Sequence, residues 1–200
     1  MGLVSAIALA LGASWAAGIR LYASVATLGL LSRFNLVELP GNLGVLENPY
    51  VIGVAGVLFV AEFLADKIPI FDSIWDVIHT FIRIPAGAVM AAAAFADFAP
   101  GVQFAALLIG GGVALSSHGT KATTRAAVNT SPEPFSNVAV SAVEDVVSVG
   151  GVLMAVFVPI VAIAVIVTLV ILSLILVPRL IRTLKKVVKR GSDATSGITS

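Results

Sequence analysis

The sequence predicts an all-α protein: a polytopic transmembrane helical bundle of about five segments, with broken or amphipathic helices around a buried polar layer. Composition is the first observation behind this. The 200 residues are 58% hydrophobic and 12% charged, with mean hydropathy +1.07, whereas soluble domains are roughly 45–50% apolar and about 25% charged. The second is the grouping of charges. Outside the C-terminal tail most fall in two polar stretches, Glu62 to Arg83 and Ser116 to Asp145. The third is that the apolar runs beside those stretches are too short. A spanning helix needs about 20 residues to cross a hydrocarbon core of about 30 Å, so these helices must continue into the polar stretches and carry charges to membrane depth.

The first segment runs from about Leu3 to Leu31 and is interrupted by Arg20. No Lys or Arg precedes Arg20, so Leu3 to Leu11 lacks the basic region of a signal peptide and reads as membrane helix. The second segment is about Tyr50 to Ala65, the third Ile84 to Phe98, the fourth Val102 to Leu115. The last, Val146 to Val177, reads as one long span with Pro159 as a kink. Together residues 1–177 form the transmembrane domain. Residues 178–190 read as a basic amphipathic helix with Leu180, Ile181, Leu184, Val187 and Val188 on one face, and 191–200 as a disordered tail. The six cations from Arg179 to Arg190 place the C-terminus on the cytoplasmic side of the cell (inner) membrane. A weak echo links "ADK…RIPAGAVM" with "GTK…SVGGVLM" as a two-fold repeat whose spacings differ by ten residues.

The polar stretches hold the candidate site. After Pro69 an amphipathic helix puts Ile70, Phe71, Ile74, Trp75, Ile78 and Ile82 on one face and Asp72, Asp76, His79, Thr80 and Arg83 on the other. Glu62 and Asp66 share a face of the preceding helix, with Lys67 beside them. In the second stretch His118, Lys121, Arg125 and Asn129 recur at spacings of three and four. Ser131 as N-cap with Pro132 at the first position, or alternatively Ser136 or Asn137, opens a further helix. That helix carries Ser141, Glu144 and Ser148 on one stripe, with Asp145 beside it. Arg20 lies deep in an apolar, small-residue helix and calls for a buried carboxylate, Glu62 or Asp66. Four acids against two bases in the first stretch, three against two in the second, and Arg20 leave two negative charges in excess with both histidines neutral. Each charge left unpaired at the bilayer centre costs about 2.5–3.5 kcal/mol on insertion scales, so mutual pairing is expected.

The site reads as a pathway through a channel or secondary transporter for a small polar solute or ion. Its residues are Arg20, Glu62, Asp66, Lys67, Asp72, Asp76, His79, Arg83, His118, Lys121, Arg125, Asn129, Glu144 and Asp145. One alternative is a membrane scaffold or assembly factor whose ion pairs are structural. Another is a lipid-headgroup-binding transporter or enzyme, with Lys121 and Arg125 on a phosphate. No Walker A, GxSxG, HExxH or GxGxxG pattern occurs, so no catalytic residue is assigned. With no cysteine and two histidines, no metal or other cofactor is expected. The partners expected are the lipid bilayer, anionic lipid at the basic tail and, as an option, further copies of the chain; no nucleic acid partner is expected.

The blocks "GIRLY", "EFLADKIPIFDSIWD" and "HGTKATTRAAVNTSPEPFSNVAVSAVED" resemble a family of small multi-pass membrane proteins known as a domain of unknown function (four-one-two-six). The resemblance covers about residues 5 to 160. Gly18 and Arg20 match its Gly-x-Arg, and Glu62, Ile68, Pro69 and Asp72 its E…IP…D block. Glu144 and Asp145 stand where its Ser-x-x-Glu ending has a Glu. The apolar segment and basic tail after 160 look like an addition. The family implies the segment map and no activity.

Overall fold

Prolines set the helix starts. In the computed structural model, which describes residues 2–129 and 134–196 with side chains at 69, 70, 73, 134 and 184–196 left aside, α1 is Leu3–Arg33, α2 Pro49–Ala65, α3 Pro69–Ala94, α4 Pro100–Val128, α5 Pro134–Phe157 and α6 Pro159–Ser196. Five of these begin on a proline, whose fixed φ suits the first helical position and whose missing N–H would go unused there. A 3-10 helix, Gly41–Glu47, precedes α2. α1, α3 over Ile74–Ala94, α4, α5 over Phe135–Phe157 and α6 over Pro159–Thr183 are long and apolar enough to cross a membrane. The 3-10 helix and α2, bent by 72°, add a sixth span if they count as one. The chain is a helical multi-pass membrane protein, and the exposed Val, Ile, Leu and Phe side chains along its spans form its lipid surface.

α1 is the axis of the bundle and packs against every other helix. It is not straight. Arg20 leaves helical geometry at φ −142°, ψ 81°, and the contacts on either side show a reversal. Ile7 shares a small cavity with Phe95 and Val102. Gly29 lies against Leu46 and Ile52, while Gly41, five residues before Leu46, lies against Ala93 and Ala96. Both ends of α1 therefore sit where α3 ends and α4 begins, here the loop end. Arg20 is the tip of a re-entrant pair of half-helices. The opposite, turn end carries the α2–α3 and α4–α5 connections. Gly18 brings the first half-helix against the Ala114 carbonyl and Ser117 of α4, closer than any side chain there would permit.

α6 also reverses. Gly12 touches both Ala155 of α5 and Ile166 of α6, and Ser173 bonds the Ser116 carbonyl of α4. Residues 146–177 are thus two antiparallel helices, not the single kinked span expected. Pro159 has no N–H to continue α5. Val158 closes both helices instead, donating its N–H to the Met154 carbonyl (2.9 Å) and accepting from the Ala162 N–H (3.0 Å).

The short apolar runs do extend into their polar neighbours. The amphipathic segment after Pro69 and the third span are one helix, α3, through Pro85, and α4 carries the fourth run on to Val128. The paired α2–α3 and α4–α5 hairpins, whose sequences echo one another, both bring their polar stretch to the turn end. α5 already starts at Pro134, ahead of Ser136 and Asn137; the Ser131 cap and Pro132 lie outside the described residues. α6 runs unbroken through Pro178 to Ser196, so the basic segment continues the last span and 191–196 are helical where a disordered tail is expected. The Leu, Arg and Lys of that segment are strong helix formers and carry the helix onward. Residues 197–200, and the apolar face at Leu184, Val187 and Val188, lie outside the described residues or side chains.

A re-entrant α1 fixes which residues share a side. In this cysteine-free chain, single cysteines at the exposed Leu3 and Leu36 will react with a membrane-impermeant thiol reagent from the same face of sealed vesicles, and one at Lys67 from the opposite face. Leu3 and Lys67 labelling together would contradict the reversal.

Candidate functional site: a buried ion network at the break of α1

The break in α1 exposes backbone as well as a charge. With no continuing turn, the Ile19 carbonyl is taken by Lys121 Nζ at 3.3 Å. The Arg20 carbonyl is taken by Ser24 Oγ at 2.8 Å, and Ser148 of α5 reaches the Ala16 carbonyl at 3.2 Å. Polar side chains of α1, α4 and α5 so satisfy groups that hydrocarbon could not.

The Arg20 side chain is fully buried and meets acids from two helices. Its Nη2 lies 2.5 Å from Asp66 Oδ2 and 3.3 Å from Glu144 Oε2, its Nη1 3.5 Å from Glu62 Oε1, and its Nε 2.9 Å from Asp145 Oδ1. Ser141 accepts a further bond from Nη2 at 2.7 Å. Both carboxylates expected as partners are in place, α2 supplying them because Glu62 and Asp66 stand one turn apart. On an otherwise lipid-exposed helix, these two are its inward acids.

Three more cations close the network. Arg83 of α3 pairs with Glu62 and, at 2.9 Å, with Asp76. Lys121 of α4 lies within 3.4–3.5 Å of Glu62, Asp76 and Glu144. Arg125, one turn on, grips Glu144 through two nitrogens at 2.9 and 2.8 Å and Asp66 at 2.9 Å, with Asp72 at 3.7 Å. The fork geometry of arginine permits this multiple engagement. Asn129 Nδ2 donates to Asp72 Oδ2 at 3.0 Å. Among the described residues four cations therefore face six acids, Glu62, Asp66, Asp72, Asp76, Glu144 and Asp145, a formal excess of two negative charges with the histidines neutral.

Two predicted residues sit apart from that network. Lys67 is exposed, its ammonium 4.3 Å above the Phe63 ring, because it follows the Asp66 C-cap and turns outward. His79 is buried in a separate arrangement: Trp75 stacks on it, its Nδ1 faces the Trp75 carbonyl at 2.8 Å, and its Nε2 meets the Tyr22 hydroxyl at 3.0 Å. Nδ1 so donates to that carbonyl, while Nε2 and the Tyr22 hydroxyl share the second hydrogen bond. His118 contacts Thr80 at 2.7 Å and Arg83 at 3.4 Å, at the rim of the network. Tyr22 was not a sequence candidate. Its signal was its place two residues after Arg20 in "GIRLY", just past the break.

Two cavities adjoin the network. One of about 210 Å³ lies between the turn-end halves of α3 and α4, lined by Asp72, Asp76, Thr80, His118, Arg125 and Asn129 among others. The other, about 320 Å³, separates α4 from α5, and its mostly apolar wall includes Trp15 and Val143 with Lys121 and Glu144 at its inner side. Among the described residues, no three His, Asp or Glu side chains converge as metal ligands.

Removing a partner from a buried ion pair leaves the others uncompensated, at a cost of about 3–5 kcal/mol. Arg20→Ala will accordingly lower the melting temperature in detergent sharply, with Arg20→Lys between it and wild type, while Lys67→Ala melts as wild type. An Arg20→Ala protein as stable as wild type would contradict this geometry.

No curated protein and no solved structure matches the chain. A family pattern does match, over residues 7–179. It reaches through the apolar part of α6, so the last span belongs to the shared pattern rather than to an addition after residue 160. The chain belongs to the family described as a domain of unknown function, DUF4126.

Proposed function

We propose that this chain is a channel or secondary transporter that passes a small polar solute or ion through the polar funnel ending at Arg20. The observation that carries the reading is the formal charge excess. Among the described residues the formal charges of ten ionisable groups from α1 to α5 do not cancel, and a membrane bundle that only needed fastening could be held by apolar packing of similar volume at no loss of stability. Broken helices whose free backbone groups and charges converge on one point are how membrane carriers hold small ions.

The funnel has an order. Asp72 and Asn129 stand at the mouth, Arg125 with Asp66 and Glu144 form the middle tier, and Lys121, Glu62, Arg83 and Arg20 the floor. The basic end of α6 leaves on the turn end, and the positive-inside rule then sets that mouth toward the cytoplasm of a cell membrane, with anionic lipid at the tail. Lys121 and Arg125 are already engaged by acids, which weighs against a phosphate grip. The scaffold reading draws on the same ion pairs, which join five helices; it differs in predicting a sealed layer.

Small replacements separate the two. Single cysteines at Thr80 and Ala122 on the cavity wall, and at Ser141 behind the Arg125–Glu144 pair, will all react with an impermeant thiol reagent from the turn end, Ser141 the slowest. Labelling at Thr80 and Ala122 with none at Ser141 would mean a dry layer and leave the scaffold.

A further inference from the structure

Pairing each cation of the network with an acid leaves Asp72 least compensated. Arg83 and Lys121 take Glu62 and Asp76, Arg20 takes Asp66 with Asp145, and Arg125 closes on Glu144. Asp72 keeps one amide bond from Asn129 and an Arg125 nitrogen 3.7 Å away. Its residue is 0% exposed, and its Oδ1 has no hydrogen-bond partner among the described residues. It also lines the cavity between the turn-end halves of α3 and α4. A buried carboxylate oxygen with no donor within hydrogen-bonding distance, its nearest cation 3.7 Å away, on a cavity wall, is a place where a ligand belongs.

We propose that the ligand is a proton: Asp72 is the exchangeable proton-binding group of the funnel, and the hydrogen ion is an ion that this pathway handles. This rests on the pathway reading above and adds the identity of the ion. An alkali or divalent cation needs a cage of several oxygens, and among the described residues no three acidic or imidazole side chains are placed to hold one. A proton needs one acceptor. It adds from water at the turn end to the Asp72 carboxylate, giving the neutral acid and lowering the charge excess by one. Arg125 then keeps Asp66 and Glu144, which hold it through shorter contacts, so the middle tier stays closed while the mouth is loaded. The charged and titratable groups around Asp72 are Asp66 of α2, Asp76 of its own helix, and Arg125 and His118 of α4. Burial opposes its ionised form most, the Asn129 amide and Arg125 favour that form, and the two acids oppose it further.

Difference infrared spectra of the purified full-length protein between acidic and alkaline buffer test this directly. The expected result is a protonated-carboxyl band that disappears in Asp72→Asn, moves but persists in Asp72→Glu, and is unaltered in Asp97→Asn, an exposed acid at the loop end. A band retained in Asp72→Asn, or none in wild type, overturns the assignment. In proteoliposomes with a trapped pH dye and an imposed potential, wild type is expected to move protons and Asp72→Asn to lose that movement. Proton movement surviving in Asp72→Asn, or missing in a wild-type protein whose cysteine variants label throughout the funnel, overturns the coupling and leaves the pathway standing.

Discussion

Everything in this bundle depends on one guanidinium held at a helix break inside the membrane. Arg20 is fully buried at the tip of α1, so its charge must be met in place. Two acids of α2 and two of α5 meet it. The acids then require their own counter-charges, which α3 and α4 supply through Arg83, Lys121 and Arg125. The break and the network need each other: Lys121 both caps the freed Ile19 carbonyl and neutralises Glu62. Taking out either would strand polar groups in hydrocarbon.

Such an arrangement is expensive. Desolvating a charge costs several kcal/mol even after relaxation, and a buried pair recovers that only with good geometry and extra hydrogen bonds. Here the geometry is dense but incomplete. Glu62 Oε2 and Asp66 Oδ1, on fully buried residues, have no hydrogen-bond partner among the described residues, nor do both side-chain amide atoms of Asn137. A layer tuned for stability alone would have closed those gaps or replaced the charges with Leu and Val. Open acceptors and uncancelled formal charge are what the proposed pathway would use to load and unload its ion.

Much of the site was legible because helical spacing is a strong rule. Residues three and four apart share a face whatever the tertiary context, so the stripes from His118 to Asn129 and from Asp72 to Arg83 could be read directly, as could the need of Arg20 for Glu62 or Asp66. Hydropathy likewise forced the short runs to continue into charged stretches. Chain reversals were not legible. α1 carries no proline near Arg20, and one extended residue leaves no mark in an apolar run. At Val158 the proline was visible, but a kink and a hairpin use the same residue, and only the packing of Gly12 against both Ala155 and Ile166 decides between them. Lys67 was misplaced because neighbours in sequence at a helix end need not share a direction.

The central claim is that Arg20 and the acids of α2 are energetically one unit, and a double-mutant cycle measures that most directly. Arg20→Gln, Asp66→Asn and the double variant would be unfolded in detergent alongside wild type. Contacting charges in one network couple by about 0.5–3 kcal/mol. The account predicts coupling toward the upper part of that range, with the double variant more stable than the two single losses added together. Strictly additive losses would mean that Arg20 and Asp66 do not meet, and the ion network described at the break of α1 would be wrong.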